Sequence, residues 1–387
     1  MPTDPAAGVP SSGRRQAFPD QLRALALLGI IVVNAPSMAT SFGVVSADPS
    51  SGALDEAVDF AITFLAEGKF YLLFSFLFGY SANFIVKQVD ARSLRRWKLR
   101  LAGLAVIGLA HAVFFFSGDI LFAYALLGFG LLFMFRRQDH TVLVTAGVSV
   151  LLGALWLGLL VVVAAADPGE INTDPTLTSL ESALAAGSFL GAADARLAAL
   201  PETLFVQASL QWAMAFAAFC TGLVAGRHRF LADLRSRTRI WQRLAVWGLA
   251  IGLPVQFAAT WLQHGTSVDL GTGFESMAGL AVIIVTAPVL SAGYLGALAL
   301  IGLNRPRTLA PIQSAGRASL TIYISESIVL STLFCGWGFG LFDQLGAAAV
   351  TGVAIVTWVV LVLTLRLWLM RFRQGPLEAL MTRWTRI

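Results

Sequence analysis

Apolar residues run in long uninterrupted stretches along this chain, and polar residues gather in the short segments between them. A helix of about 20 apolar residues crosses a bilayer. About ten stretches qualify, at residues 22–40, 57–87, 99–117, 119–136, 141–165, 203–225, 242–262, 275–303, 318–335 and 347–370. The second is about 31 residues long, more than the hydrocarbon thickness requires at about 1.5 Å per residue. Glu67-Gly68-Lys69 lies inside it, which predicts a break or a strong tilt. The eighth holds Pro288 and Gly293 and is expected to kink. The pattern predicts an all-α, polytopic transmembrane helix bundle over residues 18–372. A disordered tail is expected at 1–17 and a C-terminal tail at 373–387. The largest polar interruption, 167–202, predicts one short surface helix, serving as a lid over a cavity or as a spacer.

Composition strengthens this reading. The chain has 387 residues, 57% hydrophobic and only 13% charged, with a mean hydropathy of +0.75. Soluble domains carry about 25% charged residues, so a single soluble core is excluded. The formal net charge of +5 would suggest nucleic acid in a soluble protein. Here the basic residues fall between apolar runs and report loop topology instead, so no nucleic-acid partner is expected. With the N-terminus in the cytoplasm, all of the 27 Lys and Arg except Lys69 and Arg196 fall on the cytoplasmic side. Both termini are then cytoplasmic, and membrane lipid is the expected surrounding. GRRQAF at 13–18 resembles part of a twin-arginine signal, but Asp20 and Arg23 interrupt the apolar stretch behind it. A first span is therefore expected, not a signal peptide. Cys220 and Cys335, both in apolar runs, make neither a disulfide framework nor a metal spacing. No phosphate loop, dinucleotide fingerprint or zinc motif occurs, so no metal is expected.

Ionisable residues inside spans are costly and usually face a cavity or a partner. Counting outward from the basic ends, His111 lies about 16 Å beyond Arg100, and Asn34 about 16 Å beyond Arg23. Glu326 lies about 13 Å beyond Arg317, with Tyr323 one turn earlier. Glu67 and Lys69 lie about 15–18 Å inward from the start of the second stretch, near Asp55, on the other side. Four spans thus bring polar groups to similar depth, which suggests one buried polar site open to the outer side. Each residue also has a plainer reading. Glu67 and Lys69 fit a buried ion pair at a helix break, His111 and Asn34 fit interhelical hydrogen bonds, and Asp119 fits a helix cap. A lone carboxylate such as Glu326 needs a partner or a proton. Asp119 is expected at the outer mouth, about 12 Å along a straight helix from His111, unless the chain turns back at Gly118. At the cytoplasmic end, Asp20 and Arg23 are spaced to pair on one helix face. With Arg317, Arg95, Arg96, Arg305 and Arg307 they form a basic rim. Such a rim suits a phosphorylated cytoplasmic donor or anionic lipid.

PDQLRALALLGIIVVN (19–34), EGKFYLLFSFLFGYS (67–81), GLAHAVFFFSGDILFAYALLG (108–128), GRASLTIYISESIVLSTLFCGWGFGLF (316–342) and FRQGPLEALMTRWT (372–385) resemble the YeiB-like family of bacterial polytopic membrane proteins. That family is long catalogued as a domain of unknown function, and the likeness runs over almost the whole chain. Ala24 stands where the family typically has Gly. Ile322 and Glu326 replace an Asn and a Gln, and the added carboxylate changes the chemistry. The family in turn resembles the transmembrane acyltransferases, which include the lysosomal enzyme that acetylates heparan glucosamine ends. That likeness implies transfer from cytoplasmic acyl-CoA, acetyl-CoA in the first instance, to an acceptor across a bacterial cytoplasmic membrane. The acceptor would be an envelope glycan or a lipid-linked one.

On this reading Arg23, Arg317 and Asp20 hold the donor's head group. His111 is the general base, since imidazoles as a class titrate near neutral pH. Glu67, Lys69 and Glu326 complete the catalytic set, and Asp119, Asn34 and Tyr323 contact substrate. The alternative is a transporter or flippase in which the same polar cluster carries protons and Glu326 is the carrier. A non-catalytic scaffold is the third reading, and a homo-oligomeric state is left open.

Overall fold

The protein, in a computed structural model that describes residues 17–41, 52–166, 175–264 and 274–386, is built of sixteen α-helices with short 3-10 and π turns. No strand occurs among the described residues. In chain order the first nine are α1 (Ala17–Ala39), α2 (Ala53–Leu65), α3 (Phe70–Ile85), α4 (Ala91–Phe114), α5 (Leu121–Met134), α6 (Asp139–Ala166), α7 (Pro175–Ala185), α8 (Phe189–Gln207) and α9 (Ala213–Arg227). There follow α10 (Thr238–His264), α11 (Phe274–Asn304), α12 (Pro306–Leu309), α13 (Gln313–Arg317), α14 (Ser319–Phe334), α15 (Ala347–Arg371) and α16 (Pro376–Trp384).

Among the described residues, eight helical stretches are long and apolar enough to cross a membrane. The apolar helices α5 and α14 are shorter, at 14 and 16 residues. Together these account for the ten apolar segments of the sequence, and the chain is a multi-pass membrane protein. Its surface agrees: α6 leaves Leu152, Leu155 and Val162 about 60% exposed, a face that only lipid would cover. By contrast α1 is the most enclosed long helix and forms the centre of the bundle.

Packing follows from small residues at crossings. A methyl group on Gly222 of α9 would lie 2.0 Å from the Phe76 carbonyl oxygen of α3. Glycine there lets the two backbones touch, as membrane helices without a hydrophobic driving force require.

The second span breaks where its sequence predicts. After Leu65 the chain turns through Ala66–Lys69, with Gly68 at φ +78°, and restarts as α3. Helix α11 supports the break: Tyr294 donates to the freed Leu65 carbonyl at 3.0 Å, and Ser291 donates at 3.0 Å to the Lys69 carbonyl, which also accepts the Leu73 N–H of α3. Irregular backbone at membrane depth persists only with such partners. Helix α11 itself runs unbroken from Phe274 to Asn304 through Pro288.

Two segments differ from expectation. The 167–202 interruption holds two helices, α7 and α8, instead of one short surface helix. Moreover α8 continues through a π turn, Ala208–Trp212, into α9. Residues 373–387 are not a plain tail, because α16 folds back onto the bundle. The Trp384 indole donates to the Leu99 carbonyl at 2.8 Å, and Met381 packs where Gly103 leaves room. The expected N-terminal tail, apart from Ala17 at the start of α1, lies outside the described residues.

Candidate functional site

The α4–α5 hairpin sets the centre of the site. Helix α4 ends at Phe114, and a short turn over Phe115–Ile120 reverses the chain. This reversal brings His111 Nδ1 within 2.8 Å of Asp119 Oδ1, so the 12 Å separation expected along a straight helix does not apply. The other carboxylate oxygen, Oδ2, accepts the Phe122 N–H at 2.7 Å and caps the first turn of α5. Gly108 makes the fold-back possible: a Cβ there would lie 2.4 Å from Phe122 N and 2.7 Å from that carboxylate oxygen.

Asp119 is not at an outer mouth. It is 1% exposed and His111 2% exposed. The cause is α8, which lies over the hairpin. Arg196 donates to the Phe114 carbonyl at 3.1 Å, and Gln207 donates to the Asp119 carbonyl at 3.0 Å. The turn's backbone is thus satisfied by protein instead of water.

A carboxylate accepts hydrogen bonds only, so the imidazole nitrogen facing it carries the proton. Nε2 is then the basic nitrogen. It is buried and has no hydrogen-bond partner among the described residues. Tyr323 of α14 closes the group. Its ring centroid is 5.2 Å from that of His111, its hydroxyl accepts the Ile120 N–H at 3.2 Å, and it donates a long 3.5 Å bond to Asp119 Oδ1.

A cavity of about 660 Å³ leads to this group from the opposite end of the helices. Its mouth is formed where α1, α4 and α14 begin and where α3 and α15 finish. Arg23, Arg96, Arg100, Arg317 and Arg373 line it there, facing two carboxylates, Asp20 and Glu378. Five arginines against two carboxylates leave a formal excess of three positive charges. Arg23 is held by Asp20 at 2.6 Å, as their spacing predicts, and by the Ser81 hydroxyl. Gly316 lets α13 close on α1, since a Cβ there would sit 1.6 Å from the Asp20 carbonyl oxygen. Further in, the walls become Phe74, Phe78, Leu104 and Leu121, and the deep end is closed by Tyr124 and Tyr323. Beside the mouth, Asp90 caps α4 by accepting the Ser93 N–H at 2.8 Å. The Ser93 hydroxyl and amide hold its carboxyl below the usual range.

The remaining sequence candidates lie elsewhere. Lys69 is fully buried at the helix break and donates to the Thr63 carbonyl at 2.8 Å, with Glu67 beside it; neither lines the cavity. Asn34 is half-buried on α1 and also stands apart from the cavity. Glu326 is buried one turn beyond Tyr323, and its Oε1 has no partner among the described residues. Of the wider rim, Arg96 reaches the cavity, whereas Arg95, Arg305 and Arg307 do not. Among the described residues no cluster of His, Cys, Asp and Glu is arranged to hold a metal ion.

Sequence reading missed the contribution of α16. Glu378 accepts the Leu320 N–H at 2.8 Å, the Thr321 N–H at 3.1 Å and the Thr321 hydroxyl at 2.6 Å, which caps α14. Arg317 donates to the Arg373 carbonyl at 3.3 Å. A signal existed in GPLEAL, because Pro at the first helical position and Glu in the first turn mark a helix start.

The arrangement defines a class: a multi-pass helical membrane protein with a cationic-mouthed cavity closed at its deep end by Tyr124 and Tyr323, of which Tyr323 contacts a buried His–Asp pair that does not itself line the cavity. Residues 225–387 match the family described as "Protein of unknown function (DUF418)". Over 93% of its length the chain is 28% identical to the uncharacterized protein YxaH of Bacillus subtilis (strain 168), covering 91% of that protein. It is 26% identical to the uncharacterized protein YeiB of Escherichia coli (strain K12), covering 93% of each chain. No solved structure matches. The C-terminal part of the chain thus resembles that family of unknown function, and the chain as a whole is similar to the uncharacterized YxaH and YeiB proteins.

Proposed function

We propose that this protein is an acyltransferase of the bacterial cytoplasmic membrane. It takes an acyl group from cytoplasmic acyl-CoA, acetyl-CoA in the first instance, and passes it to an envelope sugar or lipid-linked glycan on the outer side. The observation that carries the reading is the unpartnered Nε2 of His111, held in line by Asp119 at 2.8 Å behind a cavity whose mouth is cationic.

The residues fit such a donor. Guanidinium groups make paired hydrogen bonds to phosphate, and three positive charges at the mouth are left uncompensated. The apolar section lined by Phe74, Phe78, Leu104 and Leu121 suits the uncharged arm that carries the thioester. Asp119 fixes the imidazole tautomer, as a carboxylate does in an acyl-transfer triad. His111 Nε2 removes the proton from the acceptor hydroxyl or amine as it attacks the thioester carbon. The carbon–sulfur bond then breaks, and the proton passes from His111 to the departing thiolate.

Vesicles holding the purified protein, supplied inside with radiolabelled acetyl-CoA and outside with envelope glycan, test this. Label reaches the glycan with the natural protein and not with His111→Ala. Absence of label in both overturns the reading. Gradient-driven substrate flux without acyl-CoA consumption would support a transporter instead.

A further inference from the structure

Two tyrosines close the deep end of the cavity, and their hydroxyl groups are held very differently. Tyr124 is committed, with its hydroxyl 2.6 Å from Ser75 Oγ and donating to the Tyr71 carbonyl at 3.0 Å. The Tyr323 hydroxyl is fixed in place through its oxygen, which accepts the Ile120 N–H at 3.2 Å. Among the described residues its own hydrogen has only the 3.5 Å contact with Asp119 Oδ1, an oxygen already engaged by His111 at 2.8 Å. A bond of that length contributes little. Tyr323 is also the residue that both lines the cavity and touches the His111–Asp119 pair.

We propose that Tyr323 is a catalytic residue whose hydroxyl stabilises the oxyanion formed at the thioester carbonyl. This rests on the acyl-transfer reading above. When the acceptor attacks, the carbonyl π electrons move onto oxygen, and the Tyr323 O–H swings from Asp119 to that oxygen. As the carbonyl re-forms, the carbon–sulfur bond breaks, the thiolate takes the proton held by His111, and the hydroxyl returns to Asp119. No oxidant or further reactant is needed. The Ile120 N–H keeps the phenol oxygen stationary, so only the hydrogen has to be re-aimed. A preorganised donor of this kind in a site shielded from water gains most of its effect in the transition state.

The test uses the full chain in lipid vesicles, with acetyl-CoA as donor and hydroxylamine as a small surrogate acceptor, reading thiol release. Tyr323→Phe keeps the ring and loses the hydroxyl. We expect turnover at saturating donor to fall about 10²–10³-fold, the usual loss for one oxyanion donor. Binding of desulfo-acetyl-CoA, measured directly, should stay within about twofold. Ring-fluorinated tyrosine at 323, which preserves shape and hydroxyl, should retain turnover within about threefold. Turnover of Tyr323→Phe within about threefold of the natural protein overturns the proposal. So does a loss matched by an equal loss of donor binding, or an equal loss in the fluorinated form. If the natural protein releases no thiol above protein-free vesicles, the acyltransferase reading itself falls, and this inference with it.

Discussion

At the scale of single residues, Asp119 joins two tasks that are usually separate. One oxygen orients His111 and the other caps α5, so the hairpin geometry and the imidazole tautomer are set by the same side chain. Asp119→Asn separates these tasks. An amide oxygen can still accept the Phe122 N–H, so the turn survives. The amide nitrogen then faces His111 Nδ1, which must become the acceptor and move its proton to Nε2. The ring presents the wrong tautomer to substrate. Turnover is expected to fall about 10²–10⁴-fold, as when a triad carboxylate is made an amide, while the thermal unfolding midpoint in detergent changes little. Activity near that of the natural protein would remove Asp119 from any chemical role. Apolar segments could not have shown this pairing. The spacing of His111 and Asp119 on paper depends on whether the helix continues, and Gly108 and α8 decide that it does not.

At the scale of elements, hydropathy located all ten apolar segments and even the break at Glu67-Gly68-Lys69. It was silent on α8 and α16. Both are mixed in composition, and what fixes them is tertiary: Arg196 and Gln207 satisfy the hairpin's carbonyls, and Glu378 satisfies the first turn of α14. A length-and-hydropathy rule cannot see partners that come from distant sequence. Glu378→Ala probes this directly. Three hydrogen bonds at the start of α14 are lost, and a cap of this kind stabilises by roughly 1–2 kcal/mol. Because α16 is joined to the bundle by the exposed Phe372–Gln374 link, its undocking should speed tryptic cleavage after Arg373. Limited proteolysis followed by mass spectrometry measures the rate. An unchanged rate would mean that Trp384 and Met381 hold α16 without help from Glu378.

At the scale of the whole molecule, charge and oil are sorted along one axis. The cationic mouth lies at one end, the apolar section in the middle, and the His111–Asp119 pair beyond it under α8. A ligand matched to this gradient has an anionic head and a thin uncharged arm, and its affinity should carry an electrostatic signature. The excess of three positive charges sits at a rim open to salt, where screening acts within about 8–10 Å at ordinary ionic strength. Binding of CoA to the purified protein should therefore weaken about tenfold between 0.05 M and 0.5 M salt, read by titration calorimetry. Arg96 and Arg100 lie on one face of α4 and contribute two of the cavity's five arginines. Replacing both with Ala should lower affinity at low salt and flatten its dependence on salt. Replacing Arg305 and Arg307, which are basic but do not line the cavity, should leave both unchanged. If the two pairs behaved alike, the rim would be a diffuse field serving topology alone. If only the α4 pair matters, the recognised anion sits inside the cavity, on the path to His111.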